Sequence, residues 1–294
     1  LKSYDRSQFV KDVTAGIIVA IIALPLSIAL ALASGVGPQA GIFTAIVAGF
    51  VISAFGASSV QIAGPTAAFA TIVAGIVAKD GLDGLVISTI LAGIFLILMG
   101  LCHFGSLIKF IPYTITTGFT SGIAVTIVIG QLKDFFGVTY PNGLKPIETM
   151  EKLNAFALGF SSFHVDALIV GGVSLAILII SPYIFKRIPG SLIAVVIGIL
   201  MVKFLPLHVS TIGNLYTITN DLPSFHIPAV KFSMVKSAIP NAFTIAVLAA
   251  IESLLSCVVA DGMINGKHRS DMELVAQGAG NIASALFGGI PATG

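Results

Sequence analysis

The chain has 294 residues, of which 56% are hydrophobic and only 10% are charged, and its mean hydropathy is +1.04. A soluble domain usually has about a quarter of its residues charged, so this composition excludes an ordinary soluble protein and indicates a membrane protein. The formal net charge of +2 argues against a nucleic-acid partner. Apolar residues occur in blocks of roughly fifteen to twenty, which predicts an all-α polytopic protein rather than a β-barrel.

The apolar blocks predict nine membrane-embedded segments along the chain. They are residues 13–33, 39–56, 65–78, 84–102, 112–131, 166–185, 190–205, 240–260 and 274–287. A further stretch with apolar residues at helical spacing, 148–160, fits an interfacial helix and a solvated loop equally well.

The third segment is short and follows the β-prone strip SSVQIAGPT (58–66). Proline starts helices well and interrupts them badly, so we expect an extended segment followed by a half-helix. Its expected first turn is Pro65-Thr66-Ala67. Because lipid cannot satisfy non-helical backbone, the extended segment must be buried in protein or line a cavity.

The sequence contains a weak internal repeat. AGFVISAFG (48–56) leads to AGPTA, and AGNIASALFG (279–288) leads to GIPATG. We therefore interpret 1–294 as one transmembrane transporter domain, with a first repeat over about 1–235 and the start of a second over about 236–294. The second repeat is expected to be cut short inside its functional element. Interrupted segments at corresponding places in two halves point to a transporter binding site, although chance similarity of Gly- and Ala-rich helices is the alternative.

One acid, Glu252, lies in the apolar stretch AAIESLLSCVVA (249–260). It is about 16 Å along the helix from Asn241, near the middle of a hydrocarbon core about 30 Å thick. A carboxylate there costs about 2.5–3.5 kcal/mol on insertion scales, so it needs a partner, a cavity or a proton. Ser256 shares its helix face, whereas Ser253 points elsewhere. We expect Glu252 and Ser256 to bind a coupling ion, H⁺ or Na⁺; a structural, hydrogen-bonded glutamate is the alternative.

The elements GPTAA (64–68) and IPATG (290–294) are predicted to form an anion site. The N-terminus of a half-helix exposes unpaired N–H groups and about half a positive charge, so two such termini can bind an anion without lysine or arginine. Thr66 and Thr293 would add hydroxyl donors. The alternative is that each element is only a bend with a capping threonine. Pro25 interrupts the first span just before Ser27, which predicts either a bend around the substrate or a simple packing kink. The predicted substrate-binding residues are Ser27, Pro65, Thr66, Ala67, Ala292, Thr293 and Gly294.

Three stretches resemble the sulfate permease (SulP) family of anion transporters. Residues 249–294, beginning AAIESLLSCVVADG, resemble its eighth-to-tenth span region; ALPLSIALALASGVGPQAGIFTAIVAGF (23–50) resembles its first two spans, and QIAGPTAAF (61–69) its third. The resemblance implies a seven-plus-seven inverted-repeat fold with core and gate domains, a homodimer, and a cytoplasmic C-terminal STAS domain. The last spans and the STAS domain are not in this sequence.

Carried over by position, the resemblance places the anion between the third and tenth helix termini, at Thr66. The family acid on the eighth span corresponds to Glu252, and Ser256 stands where a sodium-coupled bicarbonate member has a hydroxyl. That member has aspartate at the acid position, so the glutamate leaves the coupling ion open and favours protons. Leu26 replaces a glutamine of many relatives, so that substrate contact does not transfer.

These patterns predict a secondary active transporter of a small inorganic anion such as sulfate or bicarbonate, coupled to H⁺ or Na⁺ and working by an elevator-type movement. The alternatives are an uncoupled channel or exchanger for chloride or a dicarboxylate, a voltage-responsive membrane protein and a nucleobase permease. Without a catalytic motif, an enzyme is not expected, and neither is a cofactor.

The distribution of basic residues predicts a multi-pass plasma-membrane protein with a cytoplasmic N-terminus. The residues that this orientation places inside are Lys2, Arg6, Lys11, Lys109, Lys186, Arg187, Lys267 and Arg269.

Overall fold

A computed structural model describes residues 5–110, 113–144, 146–185, 188–219, 221–228 and 232–294. Lys2, Lys186 and Arg187, which contribute to the predicted orientation, lie outside these ranges. The chain forms two compact units. We call Leu26–Ala124 with Ile218–Gly294 the site unit, because it contains every predicted site residue, and Leu1–Pro25 with Val125–Thr217 the companion unit.

The structure is built almost entirely from helices. In chain order, the helices and strands are α1 (Arg6–Ala33), α2 (Pro38–Phe55), β1 (Gly64–Pro65), α3 (Ala70–Leu101), α4 (Tyr113–Phe135), α5 (Thr149–Gly159), α6 (Val165–Ile184), α7 (Gly190–Phe204), α8 (Ile212–Leu215), α9 (Phe232–Ile264), α10 (Ser270–Leu286) and β2 (Ala292–Thr293). Short 3₁₀ turns cover Ala67–Phe69, Phe104–Phe110, Pro141–Gly143 and Phe160–Ser162.

Within the described residues, five helical segments are long and apolar enough to cross a membrane. They are Arg6–Ala33, Pro38–Phe55, Ala67–Leu101, Val165–Ile184 and Met234–Ile264. Gly190–Phe204 is a shorter apolar helix.

The predicted segments 65–78 and 84–102 are joined in the structure as α3, but a break separates them. Gly81 has φ 72° and ψ −172°, which is not a helical conformation. A residue without a Cβ adopts this backbone at little cost, whereas other residues would be strained. The two apolar segments are therefore two helices that meet at Gly81, without an intervening loop.

In the site unit, α10 packs against α3 through small residues. A Cβ atom on Gly93 of α3 would lie 2.6 Å from the carbonyl oxygen of Gly278 on α10. Small residues of this kind let helix backbones approach closely in membranes. The nearby core contains fully buried side chains from three helices, among them Leu96, Ala246 and Leu274.

The turn between α9 and α10 is closed by one histidine. His268 Nδ1 lies 2.7 Å from Asp261 Oδ2, and His268 Nε2 lies 2.9 Å from Ser270 Oγ. The backbone N–H of His268 also donates to Asp261. This turn fixes the end of α9 to the start of α10.

The companion unit contains the predicted helix near 148–160, observed as α5. Glu148 and Glu151 form a reciprocal capping box at its N-terminus. Met150 and Leu158 are 65% and 70% exposed, so α5 has apolar side chains on its surface. The helical interpretation of this stretch is confirmed, and its place at a membrane interface stays a prediction.

The close contact of α3 and α10 predicts that Gly93→Ala destabilises the protein. The added methyl group must displace the Gly278 carbonyl or Ile282, and overpacking of this kind typically costs about 1–3 kcal/mol. The midpoint of thermal unfolding in detergent should fall. Gly262→Ala is the matched control, because an added Cβ there meets nothing within 4 Å. Equal midpoints for the two variants would contradict the packing assignment.

Candidate functional site

Two short strands bring the two predicted Gly/Pro/Thr elements together. β1 and β2 pair antiparallel, with Gly64 opposite Thr293 and Pro65 opposite Ala292. More than two hundred residues separate the strands in sequence, and both lie in the site unit. The structure therefore places the GPTAA and IPATG elements side by side.

Thr66 caps the helix that follows β1. It has an extended backbone, with φ −128° and ψ 151°, and its side-chain oxygen accepts the N–H of Ala68 at 3.4 Å. The first helical turn is Ala67–Phe69, so the expected turn Pro65-Thr66-Ala67 is wrong by two residues. The reason is that Pro65 is held in the strand ladder while Thr66 takes the N-cap position.

Glu252 is the polar neighbour of this helix terminus. The Thr66 hydroxyl donates to Glu252 Oε1 at 2.8 Å, across from α9. The other carboxylate oxygen, Oε2, is buried and has no hydrogen-bond partner. Among the described residues, no lysine or arginine forms a salt bridge with Glu252. The acid therefore has one satisfied oxygen, facing the helix cap, and one unsatisfied oxygen.

Thr293, at the second element, contacts the same helix one residue further on. Its Oγ1 lies 2.6 Å from Ser253 Oγ and donates to the Ala249 carbonyl at 3.2 Å. The N–H of Gly294 donates to Ser253 Oγ at 3.2 Å. Adjacent residues of α9, Glu252 and Ser253, thus contact the two elements separately. Helix α9 therefore contacts both predicted anion-binding elements.

Sequence reasoning missed the part that Ser253 takes in this site. It placed Ser253 on another face of the helix from Glu252, and that face turns out to be occupied by β2. The Ala249 carbonyl and the Ser253 hydroxyl both bind Thr293. The available signal in the sequence was that these two residues are four positions apart and so share a helix face. That spacing becomes informative only when the position of β2 is known.

Gln61, in the strip before β1, was also missed. Its Nε2 donates to the Ser253 carbonyl at 3.3 Å, and its Oε1 accepts the thiol of Cys257. A Cβ atom on Gly294 would collide with the Gln61 carboxamide. The signal for Gln61 was a polar side chain in the otherwise apolar stretch between Ser59 and Gly64.

The remaining predicted residues have different surroundings. Pro65 and Ala292 are buried in the ladder, and Ala67 is the first residue of the helical turn. Ser27 is buried, and its carbonyl lies against Gly41 of α2. Ser256 is partly buried, one turn after Glu252. In the described part of the chain, no side-chain hydrogen bond joins Ser27 or Ser256 to Glu252 or Thr66.

A bundle of apolar helices in which one helix carries an intramembrane acid and contacts two non-helical elements is typical of membrane transporters. The sequence model of the sulfate permease family matches residues 9–294. The chain belongs to the sulfate permease family, as predicted.

Named relatives agree with this assignment. The chain is 42% identical to the putative sulfate transporter YvdB of Bacillus subtilis (strain 168), over 100% of the chain and 55% of the relative. It is 33% identical to the bicarbonate transporter BicA of Picosynechococcus sp., over 96% of the chain and 51% of the relative. The chain thus spans about half the length of these curated relatives.

The fold prediction is confirmed by solved structures. The transmembrane domain of a cyanobacterium bicarbonate transporter, BicA, superposes with a TM-score of 0.82 at 31% identity, covering 95% of this chain and 72% of that one. The chain has the inverted-repeat fold of these transmembrane domains and is an all-α multi-pass membrane protein.

The contact of Gln61 with Cys257 predicts the reactivity of the two cysteines. Cys257 is fully buried, whereas Cys102 is exposed. A water-soluble maleimide should label Cys102 quickly and Cys257 slowly, measured peptide by peptide by mass spectrometry. In Gln61→Ala the labelling of Cys257 should speed up at least fivefold, with Cys102 as the internal control. Equal Cys257 labelling with and without Gln61 would contradict the contact.

Proposed function

We propose that the protein is a secondary active transporter of a small inorganic anion, coupled to H⁺ or Na⁺. The observation that carries this proposal is the hydrogen bond from the Thr66 hydroxyl to Glu252, because it joins an acid to a helix N-terminus. Two relatives are named as sulfate and bicarbonate transporters, which supports oxyanions of this size as the substrate class.

The proposed anion site is the helix N-terminus at Thr66. Thr66 caps a helical segment, Ala67–Leu101, whose N-terminus faces the β1–β2 ladder. Such a terminus provides N–H donors and a partial positive charge, which together bind anions. The Thr293 hydroxyl already contacts Ser253 and Ala249, so we propose that backbone N–H groups, more than threonine hydroxyls, are the anion's donors.

The second part of the proposal concerns the coupling ion. An ionised Glu252 would sit 2.8 Å from the Thr66 hydroxyl and repel an anion at the same terminus. Two like charges about 4 Å apart repel by roughly 4 kcal/mol at an effective dielectric constant near 20, about a thousandfold in affinity. A proton or Na⁺ bound at the unpartnered Oε2 would remove this repulsion and let the Thr66 hydroxyl turn to the anion.

This arrangement explains why the two ions would move together. The anion binds well only when Glu252 is neutralised, and the cation binds better when an anion is near, since coupling between two sites is reciprocal. The carboxylate oxygen of Glu252 is of a kind that binds both H⁺ and Na⁺. Both ions are therefore proposed as the coupling ion, and the Ser256 hydroxyl, on the same helix face, is proposed as a further oxygen ligand.

The movement, assembly and location of the protein form part of the same proposal. All contacts of the site lie within the site unit, so we propose that this unit carries anion and cation together in an elevator-type movement. We propose further that the protein acts as a homodimer in the plasma membrane with its N-terminus in the cytoplasm.

The proposal predicts that Glu252→Gln in the full-length protein abolishes gradient-driven uptake. Glutamine has the same shape and can still accept the Thr66 hydroxyl, but it cannot take up a proton and holds Na⁺ poorly. Radiolabelled sulfate and bicarbonate uptake into proteoliposomes, with pH and sodium gradients imposed separately, should fall at least tenfold. Asp83→Asn, which removes an exposed acid elsewhere in the site unit, is the matched control.

Two outcomes would contradict the proposal. Unchanged gradient-driven uptake in Glu252→Gln would remove Glu252 from coupling. Anion conductance without any proton or sodium flux in the unmodified protein would favour the uncoupled channel or exchanger on the same scaffold.

A further inference from the structure

We infer that Asn281 of α10 is a positioning residue for the anion site, whose carboxamide takes the place of a third strand beside β2. The inference rests on the proposed function for its effect on transport. Its structural part stands on contacts alone and can be tested without transport.

Asn281 is fully buried and binds both backbone groups of one residue in β2. Its Oδ1 accepts the Ala292 N–H at 2.9 Å, and its Nδ2 donates to the Ala292 carbonyl at 2.8 Å. The second Nδ2 hydrogen donates to the Gln277 carbonyl at 2.8 Å, within α10. A side-chain amide has two donor hydrogens, so all of its donors are used.

The ladder itself cannot supply these two hydrogen bonds. In the antiparallel pair, Ala292 stands opposite Pro65 of β1. In a strand, the N–H and carbonyl of one residue point toward the same edge, and those of Ala292 point toward α10. β2 therefore lies between β1 on one side and the Asn281 carboxamide on the other.

Two further side chains bind the backbone just before β2. Ser284 of α10 donates to the Ile290 carbonyl at 2.8 Å, and Thr44 of α2 accepts the Ile290 N–H at 2.7 Å. Ile290 and Ala292 are thus fixed by side chains, and Thr293 and Gly294 follow directly. Of Asn281, Ser284 and Thr44, only Asn281 binds the residue directly before Thr293.

The same helix also anchors the lead-in to the first element. Glu273 is 1% exposed, and its Oε2 accepts the Ala57 N–H at 2.9 Å. A Cβ on Gly56 would lie 3.1 Å from that oxygen, so the backbone approaches the carboxylate closely. Glu273 and Asn281 are eight residues, or about 12 Å, apart on α10. α10 therefore braces both elements, and Asn281 sets the position of the second one.

The test uses Asn281→Ala and Asn281→Asp in the full-length protein. Aspartate keeps the size and an acceptor oxygen but loses both N–H donors, so it serves if the alanine variant fails to fold. Thr89→Val is the matched control, because Thr89 is equally buried and its hydroxyl donates within its own helix to Leu85.

Two readouts are needed. Hydrogen exchange measured by mass spectrometry should show at least tenfold faster exchange in peptides covering 289–294 in both Asn281 variants, and no change in Thr89→Val. In proteoliposomes, the KM for sulfate or bicarbonate should rise at least fivefold, while the maximal rate stays within twofold. A residue that only stabilises the fold would lower the amount of active protein and leave KM unchanged.

The inference is overturned if exchange in 289–294 matches the unmodified protein, or if KM is unchanged or rises equally in Thr89→Val. Failure of the proposed function gives a different result: the unmodified protein takes up neither anion, while exchange in the Asn281 variants still increases.

Discussion

The site depends on the hydrogen bond between the Thr66 hydroxyl and Glu252. Inside a membrane, a carboxylate and the end of an interrupted helix are each costly when they lack a hydrogen-bond partner. This one contact gives a partner to both. The Thr66 oxygen simultaneously accepts the Ala68 N–H, so the acid, the hydroxyl and the helix terminus form one chain of hydrogen bonds. A change in the charge of Glu252 therefore alters the hydrogen bonds at the helix terminus.

The second constraint is that non-helical backbone within a membrane must find partners in the protein. β1 and β2 meet it partly through each other, but β1 covers only one edge of β2. Side chains complete it: Asn281, Ser284 and Thr44 bind the backbone of 290–292. Three buried polar side chains of α10, those of Glu273, Asn281 and Ser284, are therefore explained by the non-helical segments that they support.

The sequence was sufficient to predict the fold class and the family, and it singled out Thr66 and Glu252, which the structure brings into contact. An acid in an apolar span and a Gly-Pro-Thr element are local signals, so Glu252 and Thr66 could be found without knowing the fold. The resemblance to sulfate permeases supplied the inverted-repeat fold, which the match over residues 9–294 and the BicA structure confirm.

The missed residues share a physical cause. Ser253, Gln61 and Asn281 act on partners that come from distant segments or from a strand two residues long, and neither hydrophobic periodicity nor composition reveals such contacts. The start of the helix at Ala67 was missed for the same reason, since pairing of Pro65 with Ala292 decides it. The roles assigned to Ser27, Ser256 and the other predicted site residues in binding substrate or coupling ion stay predictions.

The most direct test of the account is the dependence of anion affinity on the coupling ion, measured in the full-length protein and in Thr66→Val. Valine keeps the shape of threonine and removes the hydroxyl that joins Glu252 to the helix terminus. The account predicts that lowering the pH or adding Na⁺ tightens sulfate or bicarbonate binding at least tenfold in the unmodified protein, and that most of this dependence disappears in Thr66→Val. An undiminished dependence in Thr66→Val would contradict it.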